Sequence, residues 1–208
     1  MLRHMIYIVP AMLLACATEI PEEGLEEEPI DQIAEEPQYS EEAFVINFGN
    51  EGEDGWYSVN DTVMGGVSSG NLTFGSGTML FEGAVSTDSN GGFASVRSPT
   101  ERYDLSMHDR VLIRLKSEGQ PFSLIFAHNT YWWQDQFKVD IQVPDDGWHT
   151  LEIPYSAFQI FRTIGGYPTP TGIEMTPEDS REILHLELMS KLFEDGSFRL
   201  EVDFIAFD

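Results

Sequence analysis

Between residues 132 and 143 the chain alternates without a break. The odd positions are Trp133, Asp135, Phe137, Val139, Ile141 and Val143; the even positions are Trp132, Gln134, Gln136, Lys138, Asp140 and Gln142. A period of two marks a strand with one buried and one wet face, and a helix cannot gather such a set onto one side. The odd face is therefore expected in the core and the even face outside. Residues 111–116, 122–127 and 198–204 alternate in the same way, and 44–48 is a further strand-like run. Gly75-Ser76-Gly77 sits between two short apolar runs, 72–74 and 79–81, which is a hairpin signal. Short strands punctuated by Gly and Asn/Asp clusters read as an all-β sandwich or barrel. Helix is expected only as a turn near 156–158 and another near 177–183, where Thr176 is placed to cap.

The N-terminus obeys different rules. Arg3 and His4 precede an apolar run, residues 5–15, broken only by Pro10. That run falls short of the roughly 20 residues of a transmembrane helix. It matches the apolar core of a secretory signal. It ends in Leu13-Leu14-Ala15-Cys16, which resembles the bacterial lipobox. That resemblance implies a signal peptide over 1–15, cleaved before a lipidated Cys16. Cys16 is the one cysteine of the chain, so no intramolecular disulfide forms and the fold rests on packing. A bacterial cell-envelope location follows, lipid-anchored and extracytoplasmic. Ala17 after the Cys favours the outer membrane where the host has one.

After Cys16, residues 17–42 hold eleven acidic residues, no Lys or Arg, and Pro21, Pro29 and Pro37. Such a stretch buries too little apolar surface to order itself, so 16–42 is expected to be a disordered tether. The formal net charge of −25 argues against nucleic acid and against direct contact with anionic lipid. Membrane attachment is left to the lipid alone.

Three segments of the remaining domain, 43–208, carry a family resemblance. They are Trp56-Tyr57-Ser58-Val59-Asn60-Asp61-Thr62-Val63-Met64-Gly65-Gly66-Val67-Ser68, then Asn90-Gly91-Gly92-Phe93-Ala94-Ser95-Val96-Arg97-Ser98, then the stretch from Trp148 to Phe158 that contains Pro154. Together with 196–205 they resemble the NADH:ubiquinone oxidoreductase (complex I) intermediate-associated protein 30 family. The resemblance implies a jelly-roll β-sandwich like galactose-binding domains. It also implies a non-enzymatic role, binding or supporting the assembly of a protein or membrane complex, without a cofactor. Delivery outside the cytoplasm departs from the mitochondrial members that assist complex I. The motif residues Asn60, Asp61, Met64, Gly65, Gly66, Ser68, Gly91, Gly92, Phe93, Arg97, Trp148 and Pro154 read as structural. Asn60 and Asp61 are expected to cap the turn that follows them.

The other reading is a carbohydrate-binding module at the cell surface. Its candidate contacts are the outward face of the long strand, Trp132, Gln134, Gln136 and Lys138, joined by Arg114 and Arg97. An aromatic plate among amides and cations suits a sugar or peptide groove. For Arg97 a buried structural ion pair weighs equally. Gly66-Val67-Ser68-Ser69-Gly70 matches the nucleophile motif of serine hydrolases, but that chemistry needs a helix after the Ser, and turn residues followed by a strand stand here instead. The histidines show no metal-ligand spacing, so neither catalytic residues nor a metal site are expected.

Replacing Cys16 by Ser is expected to leave the signal uncleaved and the chain unlabelled by a tagged fatty acid. Normal incorporation of label in that variant would place the anchor elsewhere.

Overall fold

The computed structural model describes residues 39–49, 55–131, 133–165 and 167–208. The signal peptide, Cys16, most of the tether and Trp132 lie outside the described residues.

Among the described residues thirteen strands form two antiparallel sheets: β1 Phe44–Asn47, β2 Tyr57–Asn60, β3 Ser69–Gly75, β4 Thr78–Val85, β5 Ala94–Arg97, β6 Arg110–Gly119, β7 Phe122–Ala127, β8 Gln136–Ile141, β9 His149–Pro154, β10 Gln159–Ile164, β11 Tyr167–Glu174, β12 His185–Ser190 and β13 Gly196–Phe207. One sheet runs β3-β4-β13-β6-β9, with β1 paired to the far half of β13; the other runs β11-β10-β8-β7-β12-β5-β2. Helical structure among the described residues is confined to four short 3-10 turns. Two of them, Tyr155–Ala157 and Pro177–Glu182, fall where the sequence places them, and Thr176 caps the second in a reciprocal capping box with Asp179.

The core lies between the sheets. Phe81, Met79, Ile113, Leu115, Leu200, Val202 and Phe198 from the six-stranded sheet meet Phe122, Leu124, Phe126, Leu186, Leu188 and Val96 from the seven-stranded one. Aromatic rings supply much of the contact; Phe126 stacks on Phe158 at 4.5 Å and Phe81 meets Phe198 at 4.9 Å. The β3–β4 hairpin turns at Ser76 and Gly77, both with positive φ.

Two expectations need correction. Strand β7 is buried on both faces, although its sequence was read as one-sided. It sits in the middle of its sheet, and the face turned away from the core is also covered. The contacts of the domain start at Tyr39, inside the stretch expected to be tether. Its ring meets Phe204 edge-on at 5.3 Å and joins a small outer cluster with Val45 and Leu112.

The Asn60–Ser68 motif forms a knot around Asp61, which is fully buried. Its carboxylate accepts from the amides of Gly92 (2.6 Å), Phe93 (3.2 Å) and Ser68 (3.0 Å), and from the Ser68 hydroxyl. The Ser68 oxygen in turn accepts from the Ser86 amide. Asn60 does not cap the turn after it; its amide reaches the Gly70 carbonyl instead. Gly66 and Gly91 are required by proximity, because a Cβ on either would lie within 2.6 Å of the Asp61 carboxylate. Gly65 and Gly92 adopt positive φ. Burial pushes the Asp61 carboxyl up, but the Ser68 hydroxyl and the amides of Gly92, Phe93 and Ser68 together outweigh it and hold it below the usual range.

Asp61→Asn keeps the shape but turns an amide toward several donors, and it is expected to cost on the order of 3 kcal/mol in a urea melt at pH 7. A depressed folded-state pKa stabilises above the unfolded value of about 4 and loses that contribution as pH falls through the folded value. The gap between wild type and variant should therefore narrow in acid; a gap that is constant with pH would contradict the assignment.

Candidate functional site

On the seven-stranded sheet, core residues alternate with residues that face away. Because Phe122, Leu124, Phe126, Leu186 and Leu188 point inward, their neighbours Ser123, Ile125, Ala127, His185 and Glu187 line the outer face. The register sets them in rows. One row runs Lys138, Ile125, Glu187, Arg97, Tyr57 across β8, β7, β12, β5 and β2. Beside it run Gln136, Ala127 and His185.

This face is a trough whose floor is covered: Ile125, Ala127 and Glu187 are 2%, 0% and 0% exposed. Phe193, after β12, donates its amide to the Gly92 carbonyl (2.8 Å) and so is held on the β5 side. In a flat sheet β11 and β5 stand five strand spacings, roughly 24 Å, apart. Yet the ring of Tyr167, on β11, meets Phe193 at 5.4 Å. Segments from the two ends of this sheet therefore meet at that contact.

Polar residues inside the trough are buried although they point away from the core. Glu187 is 0% exposed and His185 3%. Arg97 Nη2 stands 3.1 Å from Glu187 Oε1, and His185 Nε2 stands 4.0 Å from Glu187 Oε2. Neither carboxylate oxygen, neither His185 nitrogen, nor Arg97 Nε has a hydrogen-bond partner among the described residues. Burial pushes the His185 imidazole down; Glu187 opposes and Arg97 assists. His185 is thus neutral at pH 7, with one donor and one acceptor nitrogen.

An aromatic shelf stands at the start of β8. Tyr131 and Trp133 lie 4.8 Å apart at 32°, each 52% exposed. An open depression beside them is lined by His128, Asn129, Trp133, Gln134, Asp135 and Arg162. Asn129 accepts from the Tyr131 amide, and Gln134 donates to the Tyr131 carbonyl, which fixes the turn. Arg162 grips Asp135 through two bonds of 2.9 and 2.6 Å. Those bonds hold the Asp135 carboxyl low.

The sequence-derived candidates divide between these places. Gln134 borders the depression, Gln136 and Lys138 line the trough, and Arg97 lies across it beside Glu187. Lys138 is occupied, 3.4 Å from Asp140 and over the Phe161 ring at 4.9 Å. Arg114 belongs to the other sheet: it pairs with Asp203, and with Lys116 it covers Trp148 at 5.0 and 5.3 Å. Alternation showed that Arg114 faces outward but not from which sheet. Trp133 was expected in the core and is exposed. The strand starts only at Gln136, so the parity that buries Phe137 and Ile141 does not reach back to it. Glu187 and His185 were missed; the signal was the His185-Leu186-Glu187-Leu188 alternation, which places a carboxylate and an imidazole on one face.

A family model described as Complex I intermediate-associated protein 30 matches residues 46–202. Two solved structures resemble the fold. The family 11 carbohydrate-binding module of the cellulosomal cellulase Lic26A-Cel5E of Clostridium thermocellum is 22% identical, with TM-score 0.54, over 79% of this chain and 93% of that one. The Clostridium thermocellum family 11 module in complex with a β-1,3-1,4-mixed-linked tetrasaccharide gives 22% and 0.54 over 79% and 94%. No curated protein matches the sequence.

Trp133→Ala is expected to leave the melting temperature nearly unchanged, while Phe137→Ala should cost about 3–5 kcal/mol. Equal losses in parallel melts would return Trp133 to the core.

Proposed function

The chain belongs to the Complex I intermediate-associated protein 30 family, and from that premise we propose that it is a non-catalytic binding module whose ligand is a carbohydrate taken up at the aromatic shelf and the depression beside it. The observation that carries this reading is the pairing of an exposed aromatic shelf, Tyr131 and Trp133, with a depression lined by the hydrogen-bonding side chains of His128, Asn129, Gln134 and Arg162. Sugars present flat C–H faces to aromatic rings and hydroxyls to polar groups, so they need both. The fold neighbours named above are carbohydrate-binding modules, which agrees with it. The lipobox-like Leu13-Leu14-Ala15-Cys16 would hold the module at the bacterial envelope, with the acidic stretch as its tether.

Charge favours a neutral ligand as well. Every Lys and Arg among the described residues stands within 4.0 Å of a carboxylate. An anionic partner would have to compete with such a carboxylate to be bound.

A second reading is engagement of a protein or membrane complex. The exposed apolar loop residues Val63 (76%), Met64 (52%) and Val67 (56%), held rigidly by the Asp61 knot, favour it.

A glycan array and a pull-down from detergent-solubilised membranes separate the two. Carbohydrate binding that weakens roughly ten- to a hundredfold in Trp133→Ala is the expected result, from the usual worth of an aromatic stack. An empty array together with recovery of one defined membrane complex would overturn it in favour of assembly support.

A further inference from the structure

We propose that the Asp135–Arg162 pair makes the shelf site selective for neutral polysaccharides whose rings carry two adjacent free hydroxyls, Arg162 gripping the diol and Asp135 positioning Arg162; the inference rests on the carbohydrate reading above. Unlike the floor of the trough, this pair is open. The Arg162 and Asp135 side chains are 58% and 44% exposed, and both line the same depression as Trp133. The depression, about 660 Å³, falls within the range of small-ligand sites. Strand register sets the pair in place: Phe161 of β10 is opposite Gln136 of β8, which brings the next residue, Arg162, beside the preceding one, Asp135.

The bonds within the pair decide what Arg162 still offers. Asp135 Oδ1 accepts from Nε at 2.9 Å and Oδ2 from Nη2 at 2.6 Å. A guanidinium holds five N–H donors in a rigid, planar arrangement. Asp135 fills the fork made by Nε and Nη2. The other fork, one hydrogen each from Nη1 and Nη2, faces off the end of the side chain, and Arg162 makes no further hydrogen bond among the described residues. Two parallel donors match two acceptor oxygens side by side. A ligand carboxylate has that shape, but Asp135 already balances the guanidinium charge and would repel it. Adjacent ring hydroxyls present two neutral oxygens at only a slightly wider spacing. Their protons find an acceptor in the same depression. The Asp179 carbonyl takes the Nε2 proton of His128 at 2.7 Å, which leaves the lone pair of the neutral ring on Nδ1.

The two halves of the site then have different tasks. Stacking on Trp133 tolerates many rings, because it reads a flat face rather than hydroxyl positions. The fork reads the hydroxyls, and with them the linkage. A 1,4-linked hexose chain keeps its 2- and 3-hydroxyls free and adjacent. A 1,3-linked chain has its free ring hydroxyls at positions 2 and 4, on either side of the linkage, and offers no vicinal pair along its length. Lys in place of Arg162 would keep the charge without the fork.

The test is affinity electrophoresis of the full chain in native gels containing a 1,4-linked glucomannan, a mixed-linked β-glucan or a purely 1,3-linked β-glucan. Each glycan is also used after periodate oxidation and borohydride reduction, which open rings that bear vicinal diols and spare 1,3-linked ones. Arg162→Lys, Asp135→Ala, Asp135→Asn and Trp133→Ala are run beside wild type, with thermal melts to confirm folding. The expected result is retardation of wild type by the glycans with 1,4 linkages, lost on oxidation, and none by the 1,3-linked glucan. Arg162→Lys and Asp135→Ala should weaken it about tenfold or more, as for lost charged hydrogen bonds. Asp135→Asn, which keeps one acceptor for Arg162, should recover part of that loss. Equal retardation of wild type by the 1,3-linked glucan or by the oxidised glycans would overturn the diol grip and leave the carbohydrate reading intact, as would undiminished binding by folded Arg162→Lys. If no polysaccharide retards the wild type, the carbohydrate reading fails and the diol grip falls with it. Should the variants not fold, the comparison of intact and oxidised glycan on wild type decides.

Discussion

Asp61 is the contact on which the geometry of one end of the sandwich depends. It is a single carboxylate without a cationic partner among the described residues, stabilised instead by donors from two separate segments, Ser68 and Gly92-Phe93. Its backbone joins the same knot, donating to the Phe93 carbonyl and accepting from the Gly66 amide. The strands that leave this knot, β2, β3 and β5, belong to both sheets. One buried charge thus sets how the sheets meet, and the glycines of the motif follow from it, since only a residue without Cβ approaches a carboxylate so closely. The same knot carries Gly92, which anchors Phe193 and through it the aromatic contact that closes the trough.

The two outer faces have opposite characters. On the six-stranded sheet Arg114, Lys116 and Arg199 alternate with Asp203, Glu201 and Glu82, a ladder of partly exposed, mutually satisfied pairs. On the seven-stranded sheet the Arg97–Glu187 pair is largely buried and incompletely satisfied. The first arrangement keeps an acidic surface solvated. The second is costly for a domain that must stand without a disulfide.

The serine-hydrolase motif shows how context decides chemistry. Ser68 is buried, and its hydroxyl is committed to Asp61. A Ser–Asp contact without a histidine general base, in a turn leading into β3 rather than a helix, is a structural brace.

Alternation in the sequence determined the all-β class, the hairpin at Ser76-Gly77, the Thr176 cap and the burial of Phe137 and Ile141, because each rests on residues close in the chain. The motif around Asn60 and Gly91 carried the family. Tertiary structure alone decided the rest. Arg97 meets Glu187 only because β5 pairs with β12, about ninety positions away. Arg114 is separated from Lys138 only because β6 and β8 lie in different sheets. Trp133 is exposed because its strand begins three residues later. Side-chain parity is local and visible in one dimension; which strand lies beside which, and which way a sheet curls, are set by how distant segments share one core.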